Sequence, residues 1–127
     1  METEKITINL SAVDLGRIDL LAEEGFYQNR TDFIRAAIRK ELDVHADVVK
    51  QSTSRRFSVL GVMTYNKRAL ERALEKKEKL DISVVGGVFI AKDVTPKLAR
   101  DTIRSLKVHG VLRASDAVKE ALADRMG

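Results

Sequence analysis

The sequence predicts two small units in tandem. The first is an α+β unit, a strand followed by two helices, whose strand must find its partner at a distance or in a second copy. The second is a βαβαβα repeat domain on a small parallel sheet. Three observations carry this. Residues 5–10 alternate polar and apolar side chains with no partner strand nearby in sequence. Two capped amphipathic helices follow. Beyond a polar stretch, three apolar segments containing glycine recur, each with helical periodicity after it.

In Lys5-Ile6-Thr7-Ile8-Asn9-Leu10, the side chains of Ile6, Ile8 and Leu10 share one face and those of Lys5, Thr7 and Asn9 the other. A lone short strand does not persist. It must pair with something distant or with its own copy. Ser11 reads as an N-cap with Asp14 at the third helical position, and Leu15, Ile18, Leu21 and Ala22 recur at helical spacing up to a stop at Gly25. Asn29-Arg30-Thr31-Asp32 repeats the capping pattern. Phe33, Ile34, Ala37, Ile38 and Leu42 then form an apolar stripe, so a second helix is expected to about Asp43 and at most to Val49.

Gln51-Ser52-Thr53-Ser54-Arg55-Arg56 has the composition of a linker. The expected organisation is therefore residues 1–48 as one domain, 49–56 as linker and 57–127 as the repeat domain. The repeats are Val59-Leu60-Gly61-Val62-Met63, Val85-Gly86-Gly87-Val88-Phe89 and Val108-His109-Gly110-Val111-Leu112. Each is expected to be a buried strand. Leu70, Ala73, Leu74 and Leu80 mark the first helix. Leu98, Ile103 and Leu106 mark the second, with Thr95 as N-cap and Pro96 at its first position. Val118, Leu122 and Met126 mark the third, with Ser115 as N-cap. Strands separated by helices imply a parallel sheet with right-handed crossovers, stacked like a short solenoid.

The chain has 127 residues, no cysteine and two histidines, His45 and His109. Disulfides and thiolate metal sites are excluded, and a multi-histidine metal site is disfavoured. No nucleophile or carboxylate–imidazole arrangement points to catalysis, so neither an enzyme nor a cofactor is expected. No apolar run is long enough for a membrane span, and the acidic start Met1–Lys5 does not read as a secretory signal, so a cytoplasmic, nucleoid-associated location is expected. The net charge of +4 favours a polyanionic partner, yet the charge through Arg55 is −2 and the excess lies beyond it. Placement rather than bulk charge must carry any contact with nucleic acid.

Residues 5–10, the Leu15–Leu21 helix, Gly25 and Asn29-Arg30-Thr31-Asp32-Phe33-Ile34-Arg35-Ala36-Ala37-Ile38 together resemble the ribbon-helix-helix family of CopG, MetJ and Arc type, over somewhat more than a third of the chain. The resemblance implies a homodimeric transcriptional regulator, by default a repressor, that binds double-stranded DNA. Two copies of the strand would pair antiparallel across a two-fold axis. Ile6, Ile8, Leu10, Ile18, Leu21, Phe33, Ile34, Ala37 and Ile38 would form the dimer core. Lys5, Thr7 and Asn9 would face bases in the major groove, where lysine suits guanine, asparagine suits adenine and threonine can meet a thymine methyl. Asn29, Arg30 and Thr31, at the start of the second helix, would hold a backbone phosphate.

For the repeat domain three roles compete. It could join dimers into tetramers on tandem operators or bind an effector; a small-molecule effector stays open. It could wrap a toxin as an antitoxin tail, although its regular apolar pattern is unlike the disordered tails that the resemblance implies. It could serve an architectural DNA-binding protein through its basic excess. Too few histidines and a different element order disfavour a nickel sensor.

Overall fold

The structure, a computed structural model, describes residues 3–127. The chain forms two compact units, residues 1–50 and 51–127.

In the first unit residues 3–11 have no hydrogen-bonded secondary structure. The expected strand at 5–10 is thus not laddered within one chain, because a strand requires a neighbour and the described residues of this unit contain no other. Helix α1 (Ala12–Glu23) starts at Ser11, whose Oγ accepts the Asp14 N–H at 3.1 Å. It ends as Gly25 N–H donates to the Ala22 carbonyl and Phe26 N–H to that of Leu21. Helix α2 (Arg30–Val44) starts at Asn29, whose Oδ1 accepts the Asp32 N–H at 2.8 Å. Asp32 in turn accepts the Gln28 N–H at 3.0 Å, a reciprocal cap. The rings of Tyr27 and Phe33 meet edge to face at 5.0 Å and brace the connection between the helices.

The stretch expected as the linker, 49–56, is largely helical: helix α3 spans Ala46–Arg55. Serine and threonine lower helix propensity by only about 0.5 kcal/mol each. Val49, Ser52 and Thr53 lie on one stripe, with Thr53 buried and the other two half-buried. Burial of that stripe outweighs the weak local preference. The helix closes where Phe57 takes a positive φ of 53° and Ser58 N–H donates to the Thr53 carbonyl.

The second unit runs β1 (Val59–Tyr65), α4 (Lys67–Glu75), β2 (Leu80–Ile90), α5 (Pro96–Thr102), β3 (Ile103–Arg113) and α6 (Asp116–Ala121), then a 3-10 turn, Ala123–Arg125. The strands are parallel in the order β1-β2-β3. Three residues expected in helices are strand residues instead: Leu80 opens β2, while Ile103 and Leu106 belong to β3. The strands extend further toward their N-termini than the apolar runs, because Leu80–Val84 and Ile103–Val108 carry polar residues on one face that a helical reading absorbs. The observed caps Thr95 and Ser115 accept the N–H of Leu98 and Val118, each at 3.2 Å, and Pro96 occupies the first turn.

One sheet face packs under the helices. Ile82, Val84, Val88, Ile90, Ile103 and Leu106 bury against Leu70, Leu98, Ala99, Val118 and Leu122. A row of glycines crosses the sheet, with Gly61 paired to Gly86 and Gly86 to Gly110. All three have positive φ, between 128° and 147°. A Cβ on Gly86 would lie 2.0 Å from the Gly61 carbonyl oxygen, and one on Gly110 would lie 2.0 Å from that of Gly86. The repeat spacing therefore places a residue that only glycine can be at the same height of each strand.

Polar ties join successive repeats. Asp81 accepts from Arg104 Nε at 2.9 Å and from Ser105 Oγ at 2.8 Å. These bonds hold its carboxyl at a pKa of about 2, below the ordinary 3.8. Arg100 pairs with Asp124 at 3.0 Å.

Candidate nucleic-acid interface

The side chains expected to form a dimer core come together in the first unit. Ile6, Ile8 and Leu10 from the N-terminal segment, Ile18 and Leu21 from α1, and Phe33, Ile34, Ala37 and Ile38 from α2 all line one open groove of about 1010 Å³. Each helix contributes because its apolar residues recur at three- and four-residue spacing and its cap sets where that stripe begins. Of these side chains only Ile18 is buried, and Ile6, Ile8 and Ile38 are 73%, 53% and 46% exposed. Within residues 3–50, Ile18 is the sole buried residue of the described set. A unit with one buried side chain lacks the apolar burial needed to offset its chain entropy.

Lys5, Thr7 and Asn9 are exposed and alternate with Ile6, Ile8 and Leu10; Thr7 and Asn9 lie off the groove, whereas Lys5, like Thr31 of α2, also lines it. At the start of α2, Asn29, Arg30 and Thr31 are exposed as well. The Asn29 side chain is committed to the Asp32 amide, so the first-turn amides of Arg30 and Thr31 remain for an outside acceptor. The Arg30 guanidinium is engaged: its Nε and Nη2 donate to the two carboxylate oxygens of Asp19 at 2.8 and 2.9 Å. This fork holds the Asp19 carboxyl below its ordinary range and raises Arg30 further.

The residue missed from sequence is Asp19. It sits on the polar side of α1, eleven positions from Arg30, and no local spacing rule links the two. Arg17 and Arg35 also line the groove, where a sequence reading sees only solvated charges. Among the described residues no group of three or more His, Cys, Asp or Glu side chains is placed to hold a metal ion. Among the described residues no helix is long and apolar enough to cross a membrane.

The first unit is thus an extended segment followed by two capped helices that leave one shared apolar groove open. The chain matches the model of the ribbon-helix-helix transcriptional regulator family over residues 1–119, and it belongs to that family. It is thus of the DNA-binding, transcription-regulating class, whose members are typically not enzymes. The match runs well beyond the N-terminal third that the local motifs cover and takes in all three strands of the repeat domain. No curated protein and no solved structure gives a significant match to the chain.

Proposed function

We propose that the protein is a sequence-specific repressor that acts as a homodimer on double-stranded DNA at the nucleoid. The observation that carries this reading is the groove, lined by the same apolar side chains that a paired ribbon would cover. Two copies of residues 5–10 lie antiparallel over the two-fold axis, and their Ile6, Ile8 and Leu10 close both grooves. Their Lys5, Thr7 and Asn9 then project together into the major groove. The amides of Arg30 and Thr31, aided by the α2 dipole, hold a phosphate and set the register of the ribbon. Arg30 contributes mainly through its backbone, since Asp19 neutralises its side chain.

The repeat domain has its own buried core, unlike a tail that folds only on a toxin, and this favours an oligomerisation or effector role over an antitoxin.

Binding to the DNA upstream of the protein's own gene and to random DNA, across a salt series, tests the reading. A specific-to-random ratio of about 1,000 or more is expected. A ratio near one with a steep salt slope would replace the repressor with an architectural protein. If the combined change of Lys5, Thr7 and Asn9 to alanine leaves operator binding intact, the ribbon assignment is wrong.

A further inference from the structure

The two edges of the sheet differ in kind. The β3 edge carries Arg104, Lys107, His109 and Arg113, and its first half is covered. Met126 forms a bridge with Leu106, and Arg125 Nη1 donates to the Ile103 carbonyl at 2.7 Å. Charge and cover of this kind block strand addition. The β1 edge has neither. Val59-Leu60-Gly61-Val62-Met63-Thr64-Tyr65 contains no charged residue and no proline, and no described strand pairs with its outer side. Val59, Leu60 and Val62 are 48%, 66% and 58% exposed.

Gly61 sharpens the contrast. In Gly86 and Gly110 the missing Cβ makes room for a carbonyl oxygen of the preceding strand. Gly61 keeps the same backbone, with φ of 147°, yet nothing lies within 4 Å of where its Cβ would be. The space that a neighbouring strand's carbonyl fills twice in this sheet is open at its outer edge.

We infer that the β1 edge is an interface between two copies of this chain, paired antiparallel as β1 to β1 across a two-fold axis, so that two three-stranded sheets join into one. A second copy is the occupant because an uncharged strand meets its own copy with no like charges opposed. An edge-to-edge pair between identical strands is also closed, whereas a β1-to-β3 contact would propagate. Pairing of the first unit as proposed above would tether two copies and raise the local concentration of β1 edges. The inference rests on the proposed homodimer for that tether alone, and not on how the first unit reads DNA.

A two-fold axis perpendicular to the joined sheet keeps the same face up in both copies. Paired residues therefore share a parity, and one residue of β1 must face itself. Facing residues of an antiparallel pair have Cα atoms about 4.5–5.5 Å apart, within disulfide range. The chain has no cysteine, so introduced cysteines report without background.

The experiment uses full-length protein with single cysteines at Leu60, Val62, Met63 and Thr64, oxidised alone and in pairwise mixtures, with exposed Lys119→Cys as the tethered-collision control. A sharp maximum is expected, at least fivefold above the control, at one position or one pair with a common midpoint. Adding lysine at whichever of the exposed Leu60 and Val62 does not carry the cysteine is expected to abolish that cross-link while DNA binding and far-UV spectra are retained. A flat profile at the control level overturns the proposal. So does a cross-link between a β1 cysteine and one at Val111 of β3, which would mean head-to-tail stacking. Mass measurement alongside assigns the pairing to one dimer or to a tetramer of two, and either supports it when the cross-link is present.

Discussion

Replacing Ile38 with alanine probes the groove with little disturbance of the DNA-facing segment. Ile38 lines the groove from α2 and is 46% exposed in a single chain. Truncating a core isoleucine to alanine costs about 2–5 kcal/mol. Only the half of the side chain that the second copy would cover belongs to association, so about 1–2 kcal/mol per chain is at stake. A two-fold dimer contains the change twice, giving about 2–4 kcal/mol and a dimer Kd raised about 30- to 700-fold. Sedimentation equilibrium over a dilution series measures this directly, and operator binding should shift to higher protein concentration in parallel. Leu20→Ala is the control, because Leu20 is 56% exposed but does not line the groove. Its effect should stay below about fivefold, the range of a surface change. If the two variants weaken the dimer equally, the groove is not the dimer interface and the proposed ribbon loses its support.

Asn9→Ala should relax base preference at one operator position by about 1–3 kcal/mol, read by competition among operator variants, while Leu10 and the dimer mass are unaffected. Gly86→Ala and Gly110→Ala should each destabilise the repeat domain by about 2–6 kcal/mol, combining backbone strain with a carbonyl clash, whereas Gly61→Ala should cost only the strain, about 1–3 kcal/mol; urea unfolding ranks the three. The Asp81 carboxyl titrates lower in the folded chain than in the unfolded one, so its contribution is present above pH 3.8 and is lost as pH falls toward 2. Asp81→Asn should therefore flatten the acid limb of thermal stability between those values, and an unchanged limb would show that the Arg104 and Ser105 contacts are not maintained in solution. Asp19→Ala should free the Arg30 guanidinium and steepen the salt dependence of DNA binding by about one counterion if Arg30 then reaches a phosphate.

Local chemistry written in the sequence determined the caps and the stripes. Ser11, Asn29, Thr95 and Ser115 each accept an amide three residues on, as their side chains and positions demand. The period-two face of residues 5–10 and the helical stripes of α1 and α2 pointed to the apolar part of the groove lining, because apolar spacing dictates which side chains can share a surface, but not to the polar lining residues such as Arg17 and Arg35. The glycine repeat likewise marked the three strands. Tertiary structure alone decided the rest. It made α3 a helix despite its hydroxyl-rich composition, since burial of one stripe offsets the roughly 1.5 kcal/mol of propensity that Ser52, Thr53 and Ser54 cost together. It moved Leu80, Ile103 and Leu106 into strands, because the register of a parallel sheet is set by neighbours far away in sequence. It tied Arg30 to Asp19 and left the β1 edge bare, two features that depend on which surfaces meet in space.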